Sequence, residues 1–219
     1  KMNSPNYKYI IFIRNPLKRF ISAFNHSKHL IEFDTSGYDF NRLLNDRNSP
    51  YYKLREKIKS KLEVGHPFNE WNSGKDYIRL MNKFNSANCL AEALSSKNKE
   101  TQRHAKLLMK NEEVEHIYKG IGWYLYNGEF IDINSKKILF VGSVEYIDED
   151  IKKLSAVLNT PLNSDGFKRK NMANYDNTLS KLAVRNLLDF YKSTDYKALE
   201  KLHHYGFING KILKSYYAI

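Results

Sequence analysis

A single cysteine among 219 residues, Cys89, has no partner for an intramolecular disulfide and cannot build a zinc site from several thiolates. Five prolines and ten glycines exclude a collagen-like repeat or a low-complexity linker. No apolar run reaches the roughly 18 to 20 residues that span a bilayer. The opening residues, Lys1-Met2-Asn3-Ser4-Pro5-Asn6, are polar and hold no apolar segment of a signal peptide. The expectation is a soluble cytoplasmic chain without a membrane span, or a lumenal one if trimmed from a secretory-pathway protein. There is no His-Glu-x-x-His pattern, so no metal is expected, and no Gly-x-Ser-x-Gly elbow. Cys89 sits in an apolar helical context and reads as core rather than as a nucleophile.

What is present describes a folded, basic protein. Apolar residues make up 42% and aromatics 14%, which argues against disorder. The length suits one domain over residues 1–219, large enough to bury roughly 70% of the unfolded surface. Lys and Arg number 36 against 24 Asp and Glu, a net charge of +12. Such a field attracts nucleic acid, phosphorylated nucleotides, acidic glycans or an anionic membrane surface. A codon bias toward Lys, Asn, Ile and Tyr gives the same excess, so charge alone selects none of these.

Two buried strands stand out. Tyr9–Ile13 is β-branched and aromatic and ends at Arg14-Asn15-Pro16, a turn signal. Leu17, Phe20, Ile21 and Phe24 then recur at helical spacing, with Asn15 as N-cap and Pro16 at the first helical position. Ile138–Gly142 is the second strand, and Asp148–Leu158 the acid-started helix after it. Helical patterns fill much of residues 38–96, then Ala87–Leu94, Thr101–Leu108, Glu113–Tyr126, Leu179–Tyr191 and Tyr196–Tyr205. Lys97–Thr101 reads as a charged loop, and the tail to Ile219 carries no clear pattern. The expected class is α/β, a small parallel sheet flanked by many helices.

The segment from Arg14 to Phe24 carries the chemistry. Arg14 stands at the carboxyl end of a strand, where open α/β sheets bind ligands. Its guanidinium offers a planar fork to a phosphate, and Ser22, two helical turns on, offers a hydroxyl. Lys18 and Arg19 add charge near a helix start, where anions are favoured.

This segment resembles the 3'-phosphate-binding motif of sulfotransferases that use 3'-phosphoadenosine 5'-phosphosulfate (PAPS), carbohydrate sulfotransferases in particular. Their pattern reads Arg-(Asp/Asn)-Pro-x-x-Arg-x-x-Ser-x-(Tyr/Phe). The resemblance implies a P-loop-NTPase-like sulfotransferase fold, PAPS as co-substrate, and Arg14 and Ser22 as the pair holding the 3'-phosphate. Phe140-Val141-Gly142-Ser143-Val144-Glu145 and the acids at 148–150 are similar to the family's later strand and helix. Lys168-Arg169-Lys170 falls where the family has a basic loop closing over the nucleotide. It implies a general base before the last strand, with His116 the first candidate, His104 the second and Glu145 the third. The Trp- and Tyr-rich stretch beside His116 would form a wall for a sugar. The family's earlier loop for the 5'-phosphosulfate has no counterpart in the eight residues before the first strand, so the expected chain lacks it.

Three functions follow: sulfuryl transfer from PAPS to a hydroxyl-bearing acceptor, a glycan by resemblance; a degenerate, non-catalytic nucleotide- or glycan-binding relative; or a basic nucleic-acid-binding protein. No nucleic-acid-binding motif supports the last. The sequence leaves the oligomeric state and the acceptor open.

Overall fold

The two runs read as strands pair with each other. In the computed structural model, which describes residues 7–35, 79–110, 115–163 and 177–218, β1 (Tyr9–Ile13) and β2 (Ile138–Ser143) lie parallel. Tyr9 stands opposite Ile138 and Ile13 opposite Ser143, with one irregularity after Tyr9. Parallel neighbours need a crossover connection, and here the described part of it is helical. Both strands therefore finish at the same edge, which places the residues after Ile13 beside those after Ser143.

Helix α1 (Pro16–Thr35) begins as its sequence prescribes. Asn15 Oδ1 accepts from the amides of Leu17 at 2.8 Å and Lys18 at 3.2 Å, and Pro16 occupies the first turn. Leu17, Phe20, Ile21 and Phe24 are all buried on one face. Each such side chain contributes roughly 1.5–3 kcal/mol. Against α1 pack α2 (Ala87–Ala93), α4 (Glu115–Tyr118) and α8 (Lys181–Tyr191). Helix α3 (Lys99–Met109) packs on α2. After α4 come α5 (Ile121–Tyr124) and α6 (Glu129–Asn134), and α7 (Ile147–Leu158) follows β2. Helix α8 runs into a π turn (Lys192–Tyr196), α9 (Lys197–His204) and α10 (Gly210–Ser215).

Several expectations need correction. Lys97–Thr101 is not all loop: Asn98 Oδ1 accepts from the amides of Glu100 and Thr101, both at 3.0 Å, and starts α3 at Lys99. Glu113–Tyr126 is not one helix, since α4 and α5 are separated at Lys119-Gly120. Cys89 is exposed, because α2 buries Ala87, Leu90, Ala91 and Ala93 and turns Cys89 outward. The unassigned tail forms α10, capped by Asn209 accepting from the Ile212 amide at 2.9 Å. The helices expected between residues 38 and 78 lie outside the described residues.

The break between α4 and α5 is packed too closely against the π turn to admit a side chain. A Cβ on Gly120 would strike the Asp195 carboxylate, and one on Gly122 would strike the backbone of Thr194 and Asp195. Gly122→Ala is expected to lower stability by roughly 1–3 kcal/mol through overpacking. Urea denaturation checks this, and an unchanged midpoint would show that the π turn can give way.

Candidate functional site

Where β1 and β2 end, the polar groups form one connected set. Glu145 Oε1 accepts from the Asn15 amide at 3.0 Å, and its Oε2 accepts from Ser143 Oγ at 2.8 Å. Tyr216 OH lies 3.0 Å from the same Oε2 and 2.5 Å from Ser143 Oγ. Burial pushes the Tyr216 phenol far above its usual range, so it enters this set neutral and with a proton to donate. The Ser143 amide donates to Asp150 Oδ2 at 2.7 Å, and Lys153 pairs with the other oxygen of Asp150 at 2.8 Å.

Against this frame the motif residues separate into distinct roles. Arg14 lies just beyond the carboxyl end of β1, half-buried, and Ser22 is half-buried on α1. The amides that open α1 are engaged: Asn15's by Glu145, and those of Leu17 and Lys18 by the Asn15 side chain. An anion at this edge would therefore be held by side chains rather than by the helix start.

Arg19, expected as a further nucleotide contact, turns instead toward the interior. Its guanidinium lies 3.5 Å from Asp195 Oδ2, 3.5 Å from the Lys119 carbonyl and 5.2 Å from the centre of the Tyr191 ring. Asp195 is 2% exposed and accepts from the Gly122 amide at 3.0 Å. Burial pushes the Asp195 carboxyl up, opposed by Arg19 and by the amides of Gly122 and Ile121. Burial pushes the Tyr191 phenol up to about 12, and that phenol donates to the Ile117 carbonyl at 3.2 Å.

The remaining candidates are placed unequally. Lys168, Arg169 and Lys170 lie outside the described residues. The chain is described again at Asn177, whose Oδ1 accepts from Asn25 Nδ2 at 3.1 Å, one turn of α1 beyond Ser22. His116 belongs to α4, which packs on α1. His104 belongs to α3, two helix layers from the motif, with Nε2 3.8 Å from Glu100 Oε1. It lines a shallow cleft of about 190 Å³ with Lys83, Phe84, Glu100 and Thr101. Trp123 and Tyr124 stand exposed on α5 with rings 5.0 Å apart, and Lys119 Nζ lies 4.8 Å from the Trp123 ring centre. Among the described residues no cluster of three or more His, Cys, Asp or Glu could hold a metal ion, and no helix is long and apolar enough to cross a membrane.

Sequence reasoning missed Asp195, Tyr191 and Tyr216. The glycines at 120 and 122 were the available signal, because a side chain at either would meet Asp195 or the backbone beside it. Removing one partner of a mostly buried ion pair leaves the other uncompensated. Asp195→Ala is expected to lose roughly 3–5 kcal/mol in urea denaturation, and a loss below about 1 kcal/mol would show that Arg19 is served without it.

A family model described as "Sulfotransferase family" matches residues 1–205. No curated protein and no solved structure matches the chain.

Proposed function

From the premise that the chain belongs to the sulfotransferase family, we propose that it transfers the sulfuryl group of PAPS to a hydroxyl of a carbohydrate acceptor. The observation that carries this reading is the position of Arg14, at the carboxyl edge of a parallel strand pair, with Ser22 eight residues on along the helix that leaves it. Arg14 supplies a fork and Ser22 a hydroxyl to the 3'-phosphate of the nucleotide. By the family resemblance, Lys168, Arg169 and Lys170 add positive charge around the nucleotide.

The transfer is a substitution at sulfur. The acceptor oxygen attacks in line, its S–O bond forms as the S–O bond to the nucleotide phosphate breaks, and 3',5'-adenosine bisphosphate leaves. The acceptor proton passes to a general base within hydrogen-bond reach. His116 is assigned that role because its helix packs on α1, whereas α3 keeps His104 on a more remote layer. The exposed rings of Trp123 and Tyr124 offer apolar faces to a sugar, close to the same part of α1 through the Gly122–Asp195–Arg19 contacts.

Isothermal titration with 3',5'-adenosine bisphosphate tests the nucleotide site. Arg14→Ala is expected to weaken binding about 10- to 100-fold, as removal of a charge-assisted phosphate contact should. Equal affinity in the variant and the wild type would overturn the assignment.

The base is tested separately, by release of bisphosphate from PAPS with an oligosaccharide acceptor. His116→Gln is expected to slow release about 10²- to 10⁴-fold with nucleotide affinity unchanged. Full activity in that variant would remove His116 from the mechanism.

A further inference from the structure

The family match stops at residue 205, yet the chain beyond it docks on the turn that carries Arg14. Asn15 Nδ2 donates to the carbonyl oxygens of Ser215 at 3.2 Å and Ala218 at 2.8 Å. Tyr216, 1% exposed, reaches Ser143 Oγ and Glu145 Oε2 from the same segment. From the helical side, Tyr196 OH donates to the Tyr216 carbonyl at 2.9 Å. Glu145 closes the set by accepting the Asn15 amide, which belongs to the peptide unit that also contains the Arg14 carbonyl.

Resting on the reading of Arg14 as a phosphate ligand, we propose that the C-terminal segment from Gly210 to Ala218 is a strap that positions the Arg14–Asn15–Pro16 turn for nucleotide binding. Its contacts are the Tyr216 hydroxyl and the carbonyls of Ser215 and Ala218; Asn15 is the turn residue they hold, and Glu145 is the carboxylate that joins the two.

The two ends of the Asn15 side chain do different work. Its oxygen caps α1 and its nitrogen holds the strap. Serine at this position caps a helix as well, but its single O–H sits on the capping oxygen and cannot replace the two bonds that Asn15 Nδ2 donates to the tail carbonyls. Tyr216 similarly combines a buried ring with a hydroxyl inside the Glu145 set, and Phe keeps the first while deleting the second. Both oxygens of Glu145 accept bonds from this set, which makes it a positioning residue for the turn. A guanidinium that must meet a phosphate with two aligned N–H groups is sensitive to small displacements of its backbone. Of the bonds that hold this backbone, those from Asn15 to Leu17, from Tyr216 to Ser143 and from Tyr196 to the Tyr216 carbonyl are buried, and the others each have at least one half-buried or buried partner.

The test is titration of the full chain with 3',5'-adenosine bisphosphate, at a temperature where circular dichroism shows every variant folded. Tyr216→Phe and Asn15→Ser are each expected to weaken binding about 3- to 10-fold. The double variant should bind no worse than the weaker single one, because both act through one strap. Hydrogen exchange supplies a second readout: nucleotide should slow exchange at the amides of Tyr216 and Tyr217 in the wild type but not in Arg14→Ala. Wild-type affinity in Tyr216→Phe and Asn15→Ser, with binding lost in Arg14→Ala, overturns the strap and leaves the nucleotide site standing. A merely structural tail gives that result together with a lowered melting temperature. Fully additive losses overturn the strap as a single unit, and a folded wild type that binds no nucleotide overturns both readings.

Discussion

Polar groups buried where two parallel strands end must find partners inside the protein, because each one left unpaired costs about 1–3 kcal/mol. At the ends of β1 and β2 that requirement falls on Asn15 and Ser143, which are 2% and 1% exposed. A single carboxylate, Glu145, meets much of it by accepting from the Asn15 amide, from Ser143 Oγ and from Tyr216. Its placement depends on the register that sets Ile13 opposite Ser143. A one-residue slip would turn Ser143 to the other face and break the set. The rest of the edge follows: α1 leaves in a fixed direction, Asn15 presents its amide to the tail, and Arg14 is held at the rim.

A second buried carboxylate governs the other flank of α1. Asp195 draws Arg19 inward and fixes the start of α5 through the Gly122 amide. This requires glycine at 120 and 122, because a side chain at either would occupy the space of the carboxylate or the π turn. Helix α1 is thereby fastened at its first turn by Glu145 and one turn later by Asp195. The two arginines of the motif consequently differ in kind. Arg14 stands at the sheet edge, and Arg19 carries its charge into the contact between α1, α5 and the π turn.

The sequence was legible where local rules and tertiary structure agree. Both strands, the Asn15 cap and the buried stripe of α1 could be read because period and capping chemistry are local properties. The split between α4 and α5 could not, since the partner of the Gly122 amide there is Asp195, more than seventy residues away in sequence. Cys89 misled because α2 is short and rich in alanine, so hydropathy does not separate its two faces. The motif announced Arg14 and Ser22 as a pair but could not distinguish the task of Arg19 from theirs. Spacing within a helix records which residues share a face, not whether that face meets solvent or a carboxylate.

The tail was the least legible part and has a large influence on the edge. Its pattern is weak because α10 is short and leaves most of its side chains partly or fully exposed, and its principal anchor, Tyr216, lies just after the helix. One aromatic residue among 28 Phe and Tyr gives no signal of its own. Its value arises only when β2 brings Ser143 and Glu145 to meet it. This segment is nevertheless well suited to the task. Tyr216 joins the hydrophobic core, with Ile212 and Leu213 packed against it, while the segment's hydroxyl and carbonyl groups act directly on the turn. The burial of Asn15 and Ser143 then makes those few bonds count, since displacing them would leave hydrogen-bonding groups on two buried residues without their partners.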